Sequence, residues 1–324
     1  MPDTLDMPSL QARPQAAATP WPSVVLFIPT FRRPDGLRKL LTEVGKLSYP
    51  GALSVIVIEN DEERLAGAAA VTELAQTFPL PLRLIVEPER GQTHAYNRGF
   101  LAAAHAEPRP DYIAVLDDDE YPDHAWLTRM VATARAHDAD IVGGPVLPVF
   151  DDPRHWLART PFFQPRRYAT GPVDMIYGVG SMLARRSVIE DYLDAPFSHA
   201  FAFTGGSDLE FFTRCRNDGR SFAWADDAIV LETTPRARTT ISWLLRRNFR
   251  KGSERVRIEQ IWRTQVRDRV LRRCRAIAQV AVGSLSLPFA ALRGRAALVG
   301  GLSRIARGAG GIAAEFNIFY DEYR

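Results

Sequence analysis

The chain has 324 residues, is 46% hydrophobic and 24% charged, and carries a formal net charge of +3. That composition is ordinary for a globular protein, and the length leaves room for one large α/β domain plus an appendage at about 100–200 residues per domain. The two cysteines, Cys215 and Cys274, fit no metal-ligand spacing, which excludes a cysteine metal site and points to a reducing compartment.

Residues 1–20 are rich in Pro and Ala and lack a basic start followed by an apolar core, so neither a signal peptide nor a membrane span is expected there, only a disordered lead-in. The net charge hides a division. Residues 236–324 hold 19 Lys and Arg against 6 Asp and Glu, and the remainder holds 22 against 32. An acidic body (21–235) with a basic tail (236–324) predicts two jobs, the tail's partner being anionic.

Residues 23–28, Ser-Val-Val-Leu-Phe-Ile, form an apolar run of strand length, followed by Pro29-Thr30-Phe31-Arg32-Arg33-Pro34. Pro34 and Asp35 open a helix with Leu37, Leu40, Leu41 and Val44 at helical spacing. A second strand over 53–58 ends in Glu59-Asn60-Asp61, a helix follows over 64–77, and a third strand covers 82–86. This βαβαβ rhythm predicts a mixed, mainly parallel sheet with right-handed crossovers and helices on both faces. No G-x-G-x-x-G fingerprint follows the first strand, which removes the main support for a dinucleotide oxidoreductase. The acid-terminated second strand can hydrogen-bond a base or ribose, or can merely cap the next helix.

Next comes Glu87-Pro-Glu-Arg90-Gly91-Gln-Thr-His94-Ala-Tyr-Asn97-Arg98-Gly99, with a helix predicted over 95–105. Gly91 permits close backbone approach, and Arg90, His94, Asn97 and Arg98 offer donors to a diphosphate or sugar near the helix start, or else satisfy backbone groups. The apolar run 113–116 then stops in Asp117-Asp118-Asp119-Glu120. Strands of open α/β sheets end this way where a ligand lies beyond their carboxyl edge. Three adjacent acids repel one another, which suits an exposed tip or a bound hard cation that shares phosphate and water ligands.

A helix is predicted over 122–137, then a strand over 141–150 interrupted by Gly143 and Gly144. Residues 151–172 lack periodicity, and so long an irregular stretch is more often a functional loop than filler. Its Trp156, Phe162, Phe163 and Tyr168 can stack on sugar faces or pack against the body. A Gly-interrupted strand over 176–186 leads into another helix, and Thr204-Gly205-Gly206-Ser207-Asp208 opens the next. Asp208 reads either as a helix-capping acid or as a general base.

Eight segments in this order resemble family 2 of the inverting glycosyltransferases, which have the GT-A fold, and most resemble its bacterial exopolysaccharide branch of succinoglycan type. They are Ile28-Pro-Thr-Phe-Arg-Arg-Pro, Val57-Ile-Glu-Asn-Asp61, Glu87-Pro-Glu-Arg-Gly91, His94-Ala-Tyr-Asn97, Ile113-Ala-Val-Leu-Asp-Asp-Asp-Glu120, Gly144-Pro-Val, Gly205-Gly-Ser-Asp208 and Trp243-Leu-Leu-Arg-Arg-Asn-Phe-Arg-Lys-Gly252. The resemblance implies that Pro29, Thr30 and Arg32 lie against the nucleotide, with Glu59 and Asn60 near its base and ribose. It implies further that Asp117 reaches the ribose side, that Asp119 holds Mg²⁺ or Mn²⁺ at the donor diphosphate, and that Asp208 is the catalytic base. Arg90, Asn97 and Asp118 join the nucleotide-sugar residues, and Trp156, Gly205, Gly206, Arg247 and Arg250 stand on the acceptor side. Four positions depart from the family pattern: Glu59 stands for a usual Asp, Tyr96 for a frequent Arg, Ser181 for a frequent Asn, and Ser207 for a common Glu before the base.

The activity so implied is transfer from a nucleotide sugar, a UDP-sugar foremost, to a lipid-linked or polysaccharide acceptor with inversion to a β-glycoside. A non-catalytic nucleotide- or glycan-binding protein on the same scaffold is the alternative. In the tail, residues 239–251 and 261–282 read as amphipathic basic helices, and 276–292 as a short apolar hairpin below the about 20 residues of a spanning helix. That pattern predicts a peripheral protein on the anionic, cytoplasmic face of the cell membrane, or a basic face packed on the body or on a second copy. No nucleic-acid module accompanies the charge, so nucleic acid is not an expected partner.

Overall fold

The computed structural model describes residues 20–202 and 204–319, so the expected lead-in lies outside the described residues except for Pro20. The chain runs through β1 (Val24–Thr30), α1 (Pro34–Val44), β2 (Leu53–Glu59), α2 (Ala66–Leu74), β3 (Leu82–Val86), α3 (Gln92–Ala104) and β4 (Tyr112–Val115). It continues through β5 (Glu120–Pro122), α4 (Trp126–Ala136), β6 (Ile141–Gly143), β7 (Val146–Phe150), β8 (Gly171–Val173), β9 (Met182–Arg185), α5 (Arg186–Glu190), α6 (Ser207–Asn217), β10 (Phe222–Trp224) and β11 (Val230–Thr234). Three long helices, α7 (Ile241–Trp262), α8 (Val266–Arg293) and α9 (Arg295–Glu315), follow.

One sheet has the order β3-β2-β1-β4-β9-β6-β10-β8. The first four strands pair in parallel, as the βαβ rhythm requires, and β9 pairs antiparallel with both β4 and β6. Side chains alternate across a strand, so the apolar run of β1 serves two cores. Val24, Leu26 and Ile28 meet α1, α2 and α4 on one face, and Val25 and Phe27 meet α3 and α6 on the other. The sheet is therefore covered on both sides.

A second, three-stranded sheet, β5-β11-β7, stands at the carboxyl edge of the first. It corrects the reading of 141–150 as one strand. The chain turns at Gly144-Pro145, so that β6 stays in the large sheet and β7 pairs in parallel with β11. The helix expected from 122 begins only at Trp126, because residues 120–122 pair with β11.

The tail is more helical than its sequence suggests. The apolar segment 276–292 is no hairpin but the second half of the continuous helix α8, with Pro288 inside it. By length and composition α8 is the one helix among the described residues that qualifies to cross a membrane. The tail breaks at residues 263–265 and again at Gly294, and the α9 that follows was not anticipated. α7 and α9 touch backbone to backbone, since a Cβ on Gly252 would overlap the Arg307 carbonyl and one on Gly310 the Phe249 carbonyl. Gly252→Ala or Gly310→Ala is therefore expected to destabilise the helical tail by about 1–3 kcal/mol, the usual cost of overpacking, read as earlier thermal unfolding and faster proteolysis beyond residue 240.

Candidate active site

A cleft of about 1360 Å³ opens above the carboxyl ends of β1, β2 and β4. Its walls hold Pro29, Thr30, Asn60, Arg90, Asp117, Asp118 and Asp119 from the sheet side and Gly205, Gly206 and Asp208 from the start of α6. Arg247 and Arg250 enter from α7. Residues 117–119 and Asp208, about ninety positions apart in the chain, thus face one hollow.

The three aspartates do different things. Asp118 is buried, accepting from Thr30 Oγ1 at 2.9 Å, from Arg33 Nη1 at 2.9 Å and from the Phe31 amide at 3.4 Å, so it ties the loop to the end of β1. Asp117 accepts from the Tyr96 hydroxyl, and its own amide donates to Glu120 Oε2 at 2.9 Å. Burial, then the charge of Asp119, pushes the Asp117 carboxyl up to about 7, and burial with Asp117 alongside holds Glu120 well above the carboxylate range. Asp119 sits at the tip, with Arg33 Nη1 at 2.8 Å and Arg238 Nη1 at 3.6 Å.

Asp208 follows Gly205 and Gly206, whose φ of 74° and 90° lie in the left-handed region that glycine adopts freely. This turn aims the carboxylate inward while the Leu209 amide donates to Oδ1 at 2.8 Å. Burial raises the Asp208 carboxyl; the Leu209 amide and the charges of Arg250 and Lys251 oppose the rise. Beside it Arg250 Nε pairs with Glu254 Oε1 at 3.1 Å, and burial lifts Glu254 to about 7 despite that partner.

Several expected contacts lie elsewhere. Arg32 is absent from the cleft wall: it has φ 57°, and its Nε pairs with Asp61 Oδ2 at 2.6 Å. Arg33 takes the place on the acidic loop. Glu59 is fully buried and accepts from the amides of Asp61 (3.0 Å), Gly67 (2.6 Å) and Ala68 (3.1 Å), which makes it a backbone cap at α2, turned away from the cleft. Asn97 also misses the cleft, exchanging two hydrogen bonds of 2.8 Å with the backbone of Phe197 and so anchoring the loop before α6. Asn60 does line the cleft, but its amide is committed to Glu87, Glu89 and Gly91 backbone, fixing the loop that carries Arg90. Trp156 packs in a small apolar cluster with Leu157, Phe163, Leu244 and Val299, whereas Phe162 and Phe163 reach the cleft.

Sequence reasoning missed Arg33, Glu232, Arg238 and Glu254, all of which line the cleft, while Lys251, which also lines it, falls within the basic segment 243–252 of the resemblance. Glu232 and Arg238 pair at 3.0 Å from β11 and the turn after it, where no motif marks them. Glu254 could have been found from spacing, three residues along the same helix from Lys251. Of the departing positions, Tyr96 holds Asp117, and Ser181 accepts from Trp126 Nε1 at 3.0 Å.

Residues 25–193 match the sequence profile of Glycosyl transferase family 2. Over 234 residues, 71% of this chain and 72% of the relative, the chain is 31% identical to the succinoglycan biosynthesis protein ExoM of Rhizobium meliloti (strain 1021). Its fold is similar to that of the mannosyltransferase PcManGT from Pyrobaculum calidifontis in complex with GDP-Man and Mn²⁺, with a TM-score of 0.62 at 18% identity, covering 92% of this chain and 88% of that one. S. aureus TarS 1–349 in complex with UDP-GlcNAc is similar at a TM-score of 0.51 and 11% identity, covering 92% and 93%. With the profile spanning more than half the chain and the curated relative aligned over most of both proteins, the chain belongs to glycosyl transferase family 2 and has the GT-A fold.

Proposed function

We propose that this glycosyltransferase is inverting and metal-dependent. It moves a sugar from a nucleoside-diphosphate donor, a UDP-sugar first among candidates, to a lipid-linked or polysaccharide acceptor in cell-surface polysaccharide synthesis. The observation that carries the reading is the meeting of Asp119 and Asp208 in one cleft, an acid tip on one side and, on the other, the Asp208 carboxylate beside the Arg250–Glu254 pair. Pro29, Thr30, Asn60 and Arg90 surround the position of the nucleotide, within a catalytic domain of residues 21–235 to which the basic tail adds a wall.

The donor set at the tip fits Mg²⁺ or Mn²⁺. Among the described residues no group of three His, Cys, Asp or Glu gathers a metal cage. Asp119 instead offers hard oxygen in an open cleft, the arrangement in which a few carboxylates share an ion with substrate phosphates and water. The Arg33 guanidinium at 2.8 Å already places positive charge against that carboxylate. When bound, the ion supplies charge neutralisation for the departing nucleoside diphosphate. Arg33 and Arg238 add fixed positive charge on the same side. Asp208 takes the proton from the acceptor hydroxyl as that oxygen forms its bond to the anomeric carbon and the bond to the diphosphate oxygen breaks. Displacement from the opposite side inverts the centre, with no covalent enzyme intermediate.

A thermal-shift screen with UDP, GDP and their sugars, with and without Mn²⁺, tests this directly. Binding stabilises by mass action, about 2.7 kcal/mol at a hundredfold excess over Kd. One nucleoside diphosphate is expected to raise Tm only with the metal present, and turnover of its sugar is expected with glycan acceptors. Nucleotide binding without turnover of any donor would instead favour a binding protein on this scaffold.

We place the protein peripherally on the cytoplasmic membrane face. The support is α8, whose outer side leaves Leu285 75%, Phe289 70% and Leu292 88% exposed beside an arginine-rich first half. Such a basic amphipathic helix lies at an anionic interface. Co-sedimentation with vesicles containing phosphatidylglycerol is expected, weakened by salt and by Leu285→Glu with Phe289→Glu, and absent for neutral vesicles.

A further inference from the structure

At its Asp208 end the cleft wall gathers cations from three elements, all within electrostatic reach of Lys251: Arg166 from the loop before β8, Arg247 and Lys251 one turn apart on α7, and Arg307 on α9. Among the described residues none of these four forms an ion pair, whereas Arg33, Arg238, Arg250 and Arg255 in the same cleft each have a carboxylate. The side chains they touch directly are neutral. Arg166 lies 3.8 Å over the Tyr177 ring, Arg247 lies 5.0 Å over Trp243, and Arg307 Nη2 donates to Asn248 Oδ1 at 2.7 Å. Solvent withdrawal, then the guanidiniums of Arg247, Arg307 and Arg166, pulls Lys251 down to about 7, and Arg247 and Arg307 are lowered too. Only Glu254, facing Lys251 and Arg247, and Glu232, facing Arg247, oppose that lowering, so the four cations outnumber the carboxylates they feel, a pattern concentrated at functional sites.

Arg307 and Phe162 also line a second cavity of about 590 Å³ between α8 and α9, whose wall includes Phe289, Ala290 and Ala297. A ligand whose anionic group rests on Arg307 therefore has a second hollow beside it, part apolar and part lined by Asn248, Gln279, Arg293 and Arg304.

We propose that this end of the cleft is an anion subsite for the phosphate or diphosphate ester that carries the acceptor, distinct from the donor diphosphate position at Asp119. Three guanidinium forks and one ammonium match several phosphate oxygens better than they match a single carboxylate. The ester is held there so that the sugar it bears reaches Asp208. This assignment rests on the transferase reading above, and concerns its acceptor.

The test is calorimetric titration of the full chain with farnesyl diphosphate, inorganic pyrophosphate and farnesol, with the nucleotide chosen by the thermal-shift screen saturating and in excess over Mn²⁺. Farnesyl diphosphate is expected to bind and farnesol not. Lys251→Gln with Arg307→Gln is expected to weaken that binding about tenfold or more, as charge-assisted contacts are lost, with nucleotide binding kept and Arg269→Gln without effect. Equal binding of pyrophosphate supports the subsite and credits the diphosphate alone; tighter binding of the prenyl ester supports it and adds the second cavity. No binding by the unsubstituted protein, unchanged affinity in the double variant, or one-for-one competition by the nucleotide would overturn it. Failure of every nucleotide to bind would strike the donor reading instead, and the diphosphate titration still decides the subsite.

Discussion

Asp208→Asn is expected to lower sugar transfer by about 10²–10⁴-fold while Mn²⁺-dependent nucleotide binding persists, the loss typical of removing a positioned general base. The amide keeps the shape of the side chain and can still accept from the Leu209 amide, which now holds Oδ1 at 2.8 Å, so the turn from Gly205 to α6 is retained. What it cannot do is take a proton. Binding of the donor depends on the acidic loop across the cleft and should be indifferent to the change.

The same residue sets the sign of the pH dependence. Burial raises the Asp208 carboxyl above its ordinary value, and the base acts only when ionised. Activity should therefore be lost as pH falls through that raised pKa, and the acid limb of kcat/KM should lie above the range of a solvated carboxylate. Lys251 and Arg250 hold the rise in check, so removing either positive charge is expected to move the limb to higher pH.

Asp119→Asn is expected to cost about 10²–10³-fold in turnover, as when one preorganised electrostatic contact to a developing charge is removed, and to abolish the metal dependence of nucleotide binding. Thermal shifts with and without Mn²⁺, beside initial rates, measure both effects. Asp118→Asn should behave differently although it is the adjacent acid. Asp118 accepts from Thr30, Phe31 and Arg33, so its variant is expected to lose folded stability and loop order rather than metal dependence alone. A stability loss of about 1–3 kcal/mol is the scale for leaving such buried partners unsatisfied.

The core and the acidic loop were legible because each rests on local pattern. β1, β2 and β4 are apolar runs whose alternate residues serve two helix layers, and the run before Asp117 can end only at a sheet edge. Side-chain direction was less legible. Arg32 and Arg33 are adjacent and alike; only the positive φ at Arg32 turns one to Asp61 and leaves the other to the acidic loop. Glu59 ends its strand as a nucleotide-binding acid would, yet the amides of Gly67 and Ala68, eight and nine residues on, claim its carboxylate. The tail misled for a different reason. Gly283 and Pro288 interrupt the apolar segment 276–292 and suggest a hairpin, but α8 runs through both, and Gly283 is where Ile305 and the Gly301 carbonyl of α9 come close, so tertiary packing overrides low helix propensity.

A crystal structure with Mn²⁺ and the nucleoside diphosphate selected by the thermal-shift screen probes the shared cleft most directly. The expected map has the diphosphate beside Asp119 and Arg33, the ribose toward Asp117, and an open hexose-sized gap between the phosphates and Asp208. Nucleotide density on any other surface, or a bound diphosphate with Asp208 turned out of that gap, would contradict a single transfer site formed by these two carboxylates.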